Sequence, residues 1–539
     1  MKNKLSAVKN RIRSKSVYGK IHSTISFLAL TIFLVASSSF KVQASSQTLD
    51  EARAIIRDNY VTPVSDNVLN APTIEEIVKG LNDPYSQYFS KQQEEDFLNY
   101  IDNKMYGIGI YMEIVNEGVK VRSVIENSPA MEAGIREGDI IISANGKSLA
   151  GLTADEAATY IKGESGTTVN LQVKRADTML NFSVMRREIS LPTVTGKMLN
   201  EHTAYINIVS FGGDTSQLFS KELQELNMKN PDSYIIDLRN NGGGYMGTAL
   251  EIAGNFIGSK PAITVEDREG NKVRYLAGSK GITIDKPVIF LINEYTASAS
   301  EILSAAVKDY KKAFFIGVTT YGKGVAQQMF SLSDGSALKI TTEKFYSPLG
   351  NIIQKVGVTP DFEAKDVDSL AVAELFSGKC MNDVDKRGYV KVNYAGKDFE
   401  IDLNLAKDEK HWAAFKYILN KVSKDNVYIG TDKGWVKAPT DYFDNAYKFL
   451  YGNYKCLDTL KDVAQNKVFT ISFNKEVNAD TVKDYADMEF IDGETGQRVA
   501  FDVKKADDKK ISIVPKENLK SGKTYYIKIK DVIRPVTVK

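Results

Sequence analysis

Between residues 195 and 365, short apolar runs alternate with longer amphipathic stretches. The runs 204–209, 234–238, 288–292 and 313–316 are near-continuous, and 217–226, 246–257 and 299–308 carry helical spacing. A strand apolar on both faces needs cover on both, and helix-length connections are what parallel strands require. This block is therefore expected to be α/β around a central sheet. Two further runs, 328–332 and 337–342, flank Ser333-Asp334-Gly335-Ser336 and read as a hairpin.

The flanks have other textures, and 539 residues are enough for several domains. Residues 45–103 read as helices, with Thr73 capping one of them and Asn82-Asp83-Pro84-Tyr85 interrupting the pattern. Residues 104–188 change to short β runs (107–114, 119–124, 139–144, 169–175) with glycine turns and one helix, 153–161. Residues 459–539 alternate polar and apolar in runs 468–473, 488–492, 511–514 and 524–529, which suggests a small β-sandwich. Residues 366–458 give no signal beyond a helix near 412–422 and stay unassigned.

Chemistry concentrates in the α/β block. Ser298 lies in Thr296-Ala297-Ser298-Ala299-Ser300-Glu301, and Lys323 follows 25 positions later in Gly322-Lys323-Gly324. Serine attacks only when a base takes its proton. The three histidines are His22, His202 and His411, none in a motif context, so lysine is the favoured base. That role requires desolvation, because an ordinary lysine is protonated near neutral pH. Gln327, four residues on, would share a helical face with Lys323 and could hold its amine. Ser300 and Glu301 read as structural, Glu301 as a local cap. The run Asp237-Leu238-Arg239-Asn240-Asn241-Gly242-Gly243-Gly244 follows a strand and precedes a helix, so its amides can approach a reacting carbonyl. A dinucleotide loop is the lesser reading, since Gly242, Gly244 and Gly247 leave the required spacing incomplete.

The first 44 residues hold eight basic and no acidic residues, then an apolar run 25–36 and Val42-Gln43-Ala44. This is the pattern of a secretory signal cleaved after Ala44; an uncleaved anchor is the alternative. Loss of the leader takes the net charge from +2 to −6, which gives no basis for nucleic-acid binding. Cys380 and Cys456 exclude a cysteine-rich metal site but leave one disulfide or two free thiols open. No metal or cofactor is expected.

The series Gly107-Ile108-Gly109-Ile110, Asn127-Ser128-Pro129-Ala130, Ala133-Gly134-Ile135, Glu137-Gly138-Asp139 and Asn145-Gly146 resembles a PDZ domain. Gly107, Ile108, Gly109 and Ile110 then correspond to its carboxylate-binding loop, beside a strand edge that takes an extended peptide. Together with Leu81-Asn82-Asp83-Pro84-Tyr85, the glycine run, the Ser298 and Lys323 segments, the 332–338 hairpin and Gly357-Val358-Thr359-Pro360-Asp361, the chain resembles the carboxyl-terminal processing peptidases over about residues 50–365. The resemblance implies Ser298 as nucleophile, Lys323 as base and Gln327 as its support. It further implies an oxyanion hole from the amides of Ala299 and Gly243. Gly242 departs from the family, which usually has proline there. The last 75 residues resemble a bacterial Ig-like domain of the surface-layer type.

The expected organisation is thus multidomain α/β plus β. A leader (1–44) precedes a helical segment (45–103), a PDZ domain (104–188), a Ser/Lys protease core (189–365), an unassigned region (366–458) and a β-sandwich (459–539). The implied activity is secreted, tail-directed peptide cleavage on substrates with apolar C-termini. The family resemblance also suggests a homodimer, and the Ig-like resemblance contact with a cell wall or surface. A catalytically silent PDZ/Ig peptide-binding scaffold is the rival reading.

Overall fold

The computed structural model describes residues 46–278, 282–443, 447–452, 454–474, 476, 488–530 and 532–539. The expected leader lies outside them.

The α/β block is built on a six-stranded sheet. Its order is Val194–Met198, Thr203–Ile208, Ser233–Asp237, Val288–Ile292, Phe314–Gly317 and Phe362–Glu363. The first pair is antiparallel and the rest are parallel. Each parallel strand is laid beside its predecessor in chain order, so right-handed crossovers put the helices on one face. Those helices are Thr215–Asn227, Met246–Ile257 and Ala299–Asp309, packed over Ile206, Ile236, Phe290 and Phe315. Side chains alternate along a strand. Ile235, Ile289, Leu291, Phe314 and Ile316 therefore point the other way, which explains the continuous apolar runs.

The second face is covered by the region that the sequence left unassigned. Helices Ser369–Phe376 and Glu409–Lys421, with a four-stranded sheet from residues 389–437, supply Leu375, Phe376, Phe399, Trp412 and Phe415 to one core with the strands. That core continues into Ile491, Tyr526 and Ile533 of the C-terminal sandwich. The sandwich has two sheets, and it contains strands Phe501–Asp507 and Val532–Val538 besides the four expected runs. Cys380 is buried, Cys456 exposed, and both are free thiols.

A second protease sheet runs Gln87–Phe89, Ala337–Tyr346, Pro261–Glu266, Lys272–Leu276, with Val325–Ser331 paired to Ala337–Tyr346. The N-terminal segment is thus more than helices. Its short strand pairs Gln87 with Lys339, and Ala52, Ile56 and Ile74 share a core with Leu332, Leu338 and Ile340. This pairing carries Asp83 and Tyr85 into the protease block.

Residues 104–190 fold about their own core of Val119, Ile141, Leu171 and Val184. The expected strand 107–114 is broken. Lys104–Gly107 pairs with Arg187–Ser190 as a tether, and Ile110–Val115 starts a separate sheet. Helix Ala154–Ile161 opens on a Thr153/Glu156 capping box.

Candidate active site

Two loops leave the C-terminal ends of the adjacent parallel strands Ser233–Asp237 and Val288–Ile292, where open α/β sheets place their sites. The loops are laced together. Asn240 N donates to Asn293 Oδ1 at 2.9 Å, and Asn293 Nδ2 returns a bond to Asn240 Oδ1 at 2.8 Å. The fully buried Thr296 donates through Oγ1 to Leu238 O at 2.8 Å. Ala297 N and Ser300 Oγ both donate to Asn241 O, at 3.0 and 2.9 Å. The sequence reading of Ser300 as structural is met by this bond.

Ser298 stands at the N-terminus of helix Ala299–Asp309 with φ 58° and ψ −117°. A non-glycine residue there carries about 1–3 kcal/mol of strain, which packing must hold. A similarly sharp strand-to-helix turn exposes the nucleophile of α/β-hydrolases. The Ala299 amide follows directly at the positive end of the helix, with no acceptor among the described residues.

Gly243 packs against this turn with φ +104°. A Cβ there would lie 2.8 Å from Ser298 Cβ and 2.9 Å from Ala299 N, so no other residue fits. Its N–H, expected to face an oxyanion, is donated in this structure to Asn241 Oδ1 at 2.9 Å. Asn241 is fully buried and is itself held by Nδ2 donating to Ile208 O at 2.8 Å. A Cβ on Gly242 would meet nothing within 4 Å, so there is open space where the family usually has proline.

The backbone of the Lys323 segment is tied to that of Ser298 through Glu301. This fully buried carboxylate accepts from Ser298 N (2.9 Å) and Lys323 N (2.8 Å) on Oε2. On Oε1 it accepts from Gly322 N (2.7 Å) and Thr320 Oγ1 (2.5 Å). Its partners therefore extend well beyond the local cap that the sequence suggested. Burial pushes its carboxyl group up, against the downward pull of these four bonds. The flanking glycines have a packing cause: a Cβ on Gly324 would fall 2.4 Å from Gln354 N, and one on Gly322 3.1 Å from Lys355 Cα.

The Lys323 amine lies 5.0 Å from the centroid of the Tyr85 ring, with no carboxylate paired to it among the described residues. Burial pushes it down to about 8, while Asp83 and Glu301 pull the other way. Lysine is thereby brought into the range where a substantial fraction is neutral.

Gln327 departs from expectation. It lies on the strand Val325–Ser331, with a bulge between Ala326 and Gln327, so the helical i,i+4 argument does not apply. Its Nε2 donates to Thr341 Oγ1 at 3.1 Å, and Thr341 Oγ1 donates to Asp83 Oδ2 at 2.6 Å. Gln327 therefore connects to the lysine's surroundings through Thr341 and Asp83, rather than by the direct contact assumed from sequence. Asp83, Tyr85, Thr341 and the bridging role of Glu301 are features that sequence reasoning misses; the Asp83-Pro84-Tyr85 motif and the cap position of Glu301 are their visible traces.

The loop Gly107-Ile108-Gly109-Ile110, expected to take a carboxylate, lies at the separate core of residues 104–190. Gly109 has φ +83°, and a Cβ on it would meet Ser128 Cβ at 2.3 Å. Ser128 Oγ donates to Gly109 O at 3.2 Å, and Ala130 N to Ile108 O at 2.8 Å. Ile108 is buried, Gly107 ends the tether strand, and Ile110 opens the strand Ile110–Val115. That strand pairs on one edge with Gly118–Val124, and no described strand occupies the other.

Residues 202–364 match Peptidase family S41, residues 107–185 a PDZ domain, and residues 457–536 a bacterial Ig-like domain. Carboxy-terminal processing protease CtpA of Bacillus subtilis (strain 168) is 34% identical over 373 residues, 68% of this chain and 80% of that protein. CtpB of the same organism is 35% identical over 335 residues, 61% of this chain and 69% of that protein. Among solved structures, the photosystem II D1 C-terminal processing protease aligns at 23% identity over 61% of this chain and 94% of its own, with a TM-score of 0.40. With a relative more than 30% identical over four-fifths of its length, and with the three domain types in the expected order, this chain belongs to the carboxy-terminal processing proteases of peptidase family S41.

Proposed function

We propose that the chain is an exported serine endopeptidase with a Ser298/Lys323 dyad, directed to protein C-termini by its PDZ domain. Ser298 Oγ attacks the scissile carbonyl as the neutral Lys323 amine takes its proton. The resulting ammonium returns the proton to the leaving amine, and water then releases the acyl group from Ser298. The oxyanion is received by the amide of Ala299 and by that of Gly243, which turns from Asn241 Oδ1 as the charge develops. Gln327 supports the base through Thr341 and Asp83. The Gly107-Ile108-Gly109-Ile110 loop takes a terminal carboxylate, and the open edge of Ile110–Val115 takes the apolar tail as an added strand.

The observation that supports this most is the Glu301 carboxylate, bonded to the backbone of both Ser298 and Lys323, beside an amine lowered to about 8. Export follows from the leader, with cleavage after Ala44, and the Ig-like module is proposed to contact the cell surface. Among the described residues no helix is long and apolar enough to cross a membrane. Association into a homodimer through the N-terminal helices belongs to the same proposal.

The test is cleavage of an unstructured protein with an apolar C-terminal tail. Wild type should cleave it, Ser298→Ala should bind without cleaving, and blocking the tail's carboxylate should weaken capture. Tail binding with no cleavage by wild type would establish the silent scaffold instead.

A further inference from the structure

The second protease sheet has an edge strand that starts beside the dyad. Val325–Ser331 pairs on one side with Ala337–Tyr346, and no described strand occupies its other side. It begins two residues after Lys323. The amides of Lys323 and Ser298 donate to the same oxygen, Glu301 Oε2, at 2.8 and 2.9 Å, so the strand sets out next to the nucleophile's backbone. Tyr321 N donates to Thr296 O at 3.0 Å and ties the two segments a second time.

Which backbone groups of this strand are open follows from its ladder. Gly324 O accepts from Phe345 N at 2.9 Å just before it, and Leu332 N donates to Ser336 O at 2.7 Å just after it. Bonded and non-bonded residues alternate along an antiparallel pair. The bulge opposite Ala326 and Gln327 puts its extra residue, Thr342, on the partner strand, so the alternation along Val325–Ser331 is unbroken. The N–H and C=O of Val325, Gln327, Met329 and Ser331 therefore point away from Ala337–Tyr346. Among the described residues their one partner is local: Val325 O accepts from Gln327 Nε2 at 3.4 Å.

An open edge pairs with any extended chain that reaches it, and sheets commonly blunt such edges with charge or proline. Another free edge of this sheet, Lys272–Leu276, carries Lys272 and Arg274 in five residues. Val325–Ser331 has no charged residue and no proline in seven. Beside Ser298 the edge is left unguarded.

We propose that the open edge of Val325–Ser331 takes the substrate polypeptide as an added β-strand across the scissile site. Backbone bonds to alternate substrate residues hold the chain extended at Ser298, which favours unfolded segments and tolerates varied side chains around the cut. The inference rests on the dyad proposed above. It gives the protein two edges with separate tasks: Ile110–Val115 for the tail, Val325–Ser331 for the stretch to be cut.

The experiment is a scan of backbone N-methylation over four residues on each side of the scissile bond, in a peptide whose tail lies far enough on to clear the PDZ edge. For the full-length protein, kcat/KM should fall about 10-fold at every second position on one side of the bond, where a methyl replaces a donor to the edge, and less than about twofold between them. Met329→Pro removes an outward N–H and spares the ladder, since proline is tolerated at an edge. It should raise KM about 10-fold with thermal melting near wild type. The scan leaves the protein unaltered, so it decides the matter even if Met329→Pro folds poorly. A flat scan on a parent peptide that is cleaved would overturn the proposal and leave the dyad standing, as would a folded Met329→Pro with wild-type KM. A parent peptide left uncut by wild type would remove both.

Discussion

Glu301 and Glu374 are buried to a similar degree, at 0% and 5% exposure, and their charges are handled in opposite ways. Glu374, on helix Ser369–Phe376, meets Lys410 Nζ at 2.5 Å and hydrogen-bonds His411 Nε2, both on helix Glu409–Lys421. Burial pushes its carboxyl up, but these partners outweigh that and hold it below the usual range. Glu301 receives neutral donors only, and burial wins. One carboxylate clamps two helices over the far face of the sheet. The other ties the serine and lysine segments together through backbone and hydroxyl donors at their junction. The contrast separates a group placed for stability from one placed for geometry at some cost in stability.

The sharpest way to break this contrast is Glu301→Gln. An amide puts two N–H donors where one oxygen now accepts two bonds, so the Ser298 or the Lys323 segment loses its tie. We expect kcat/KM to fall at least about 100-fold while the fold is retained, read by peptide cleavage alongside thermal melting. Near-normal activity would mean that the bridge is incidental. Glu374→Gln should do the reverse: activity within about twofold of wild type, and stability lowered by about 2–3 kcal/mol in urea unfolding. Gly243→Ala should lower kcat by at least about 10-fold, since a methyl would press on Ser298 from a strained backbone. A wild-type kcat there would show that the turn can yield.

The smallest effect is in pH. Glu374 has a folded value below its unfolded one of about 4.3, so its stabilisation is present above that pH and fades as pH falls through the lowered value. The urea midpoints of wild type and Glu374→Gln should therefore converge on acidification. Glu301 has the opposite sign: its share of stability is highest in acid and declines as pH rises from the unfolded value through the raised one.

How far the sequence could be read follows from how local each cause is. Helix Met246–Ile257 and strands Val288–Ile292 and Met488–Asp492 are delimited by their apolar patterns, because the burial that forms them runs through each segment. The strand Gln87–Phe89 is not, being three residues long with its partner at Ala337–Lys339. Beyond the helix near 412–422, which the structure has at Glu409–Lys421, residues 366–458 give no pattern because what they do, covering Ile289 and Phe314, depends on another part of the chain. Within the site, Ser298 and Lys323 were visible from their glycine and small-residue surroundings. Gln327 was placed on a helix because spacing alone cannot reveal the antiparallel partner that makes it a strand. Glu301 looked like a cap because one of its four bonds is local; the other three reach Thr320, Gly322 and Lys323.

The central claim is that a lysine made partly neutral by burial activates Ser298, and Lys323→Arg tests it most directly. Arginine keeps the charge and comparable reach but cannot give up a proton. The account predicts that wild type cleaves a tail-bearing peptide with kcat/KM rising through an acid limb near pH 8, and that the folded Lys323→Arg protein cleaves no faster than Ser298→Ala at any pH. Cleavage by Lys323→Arg at near wild-type rates would contradict it, as would a wild-type profile flat from pH 5 to 9.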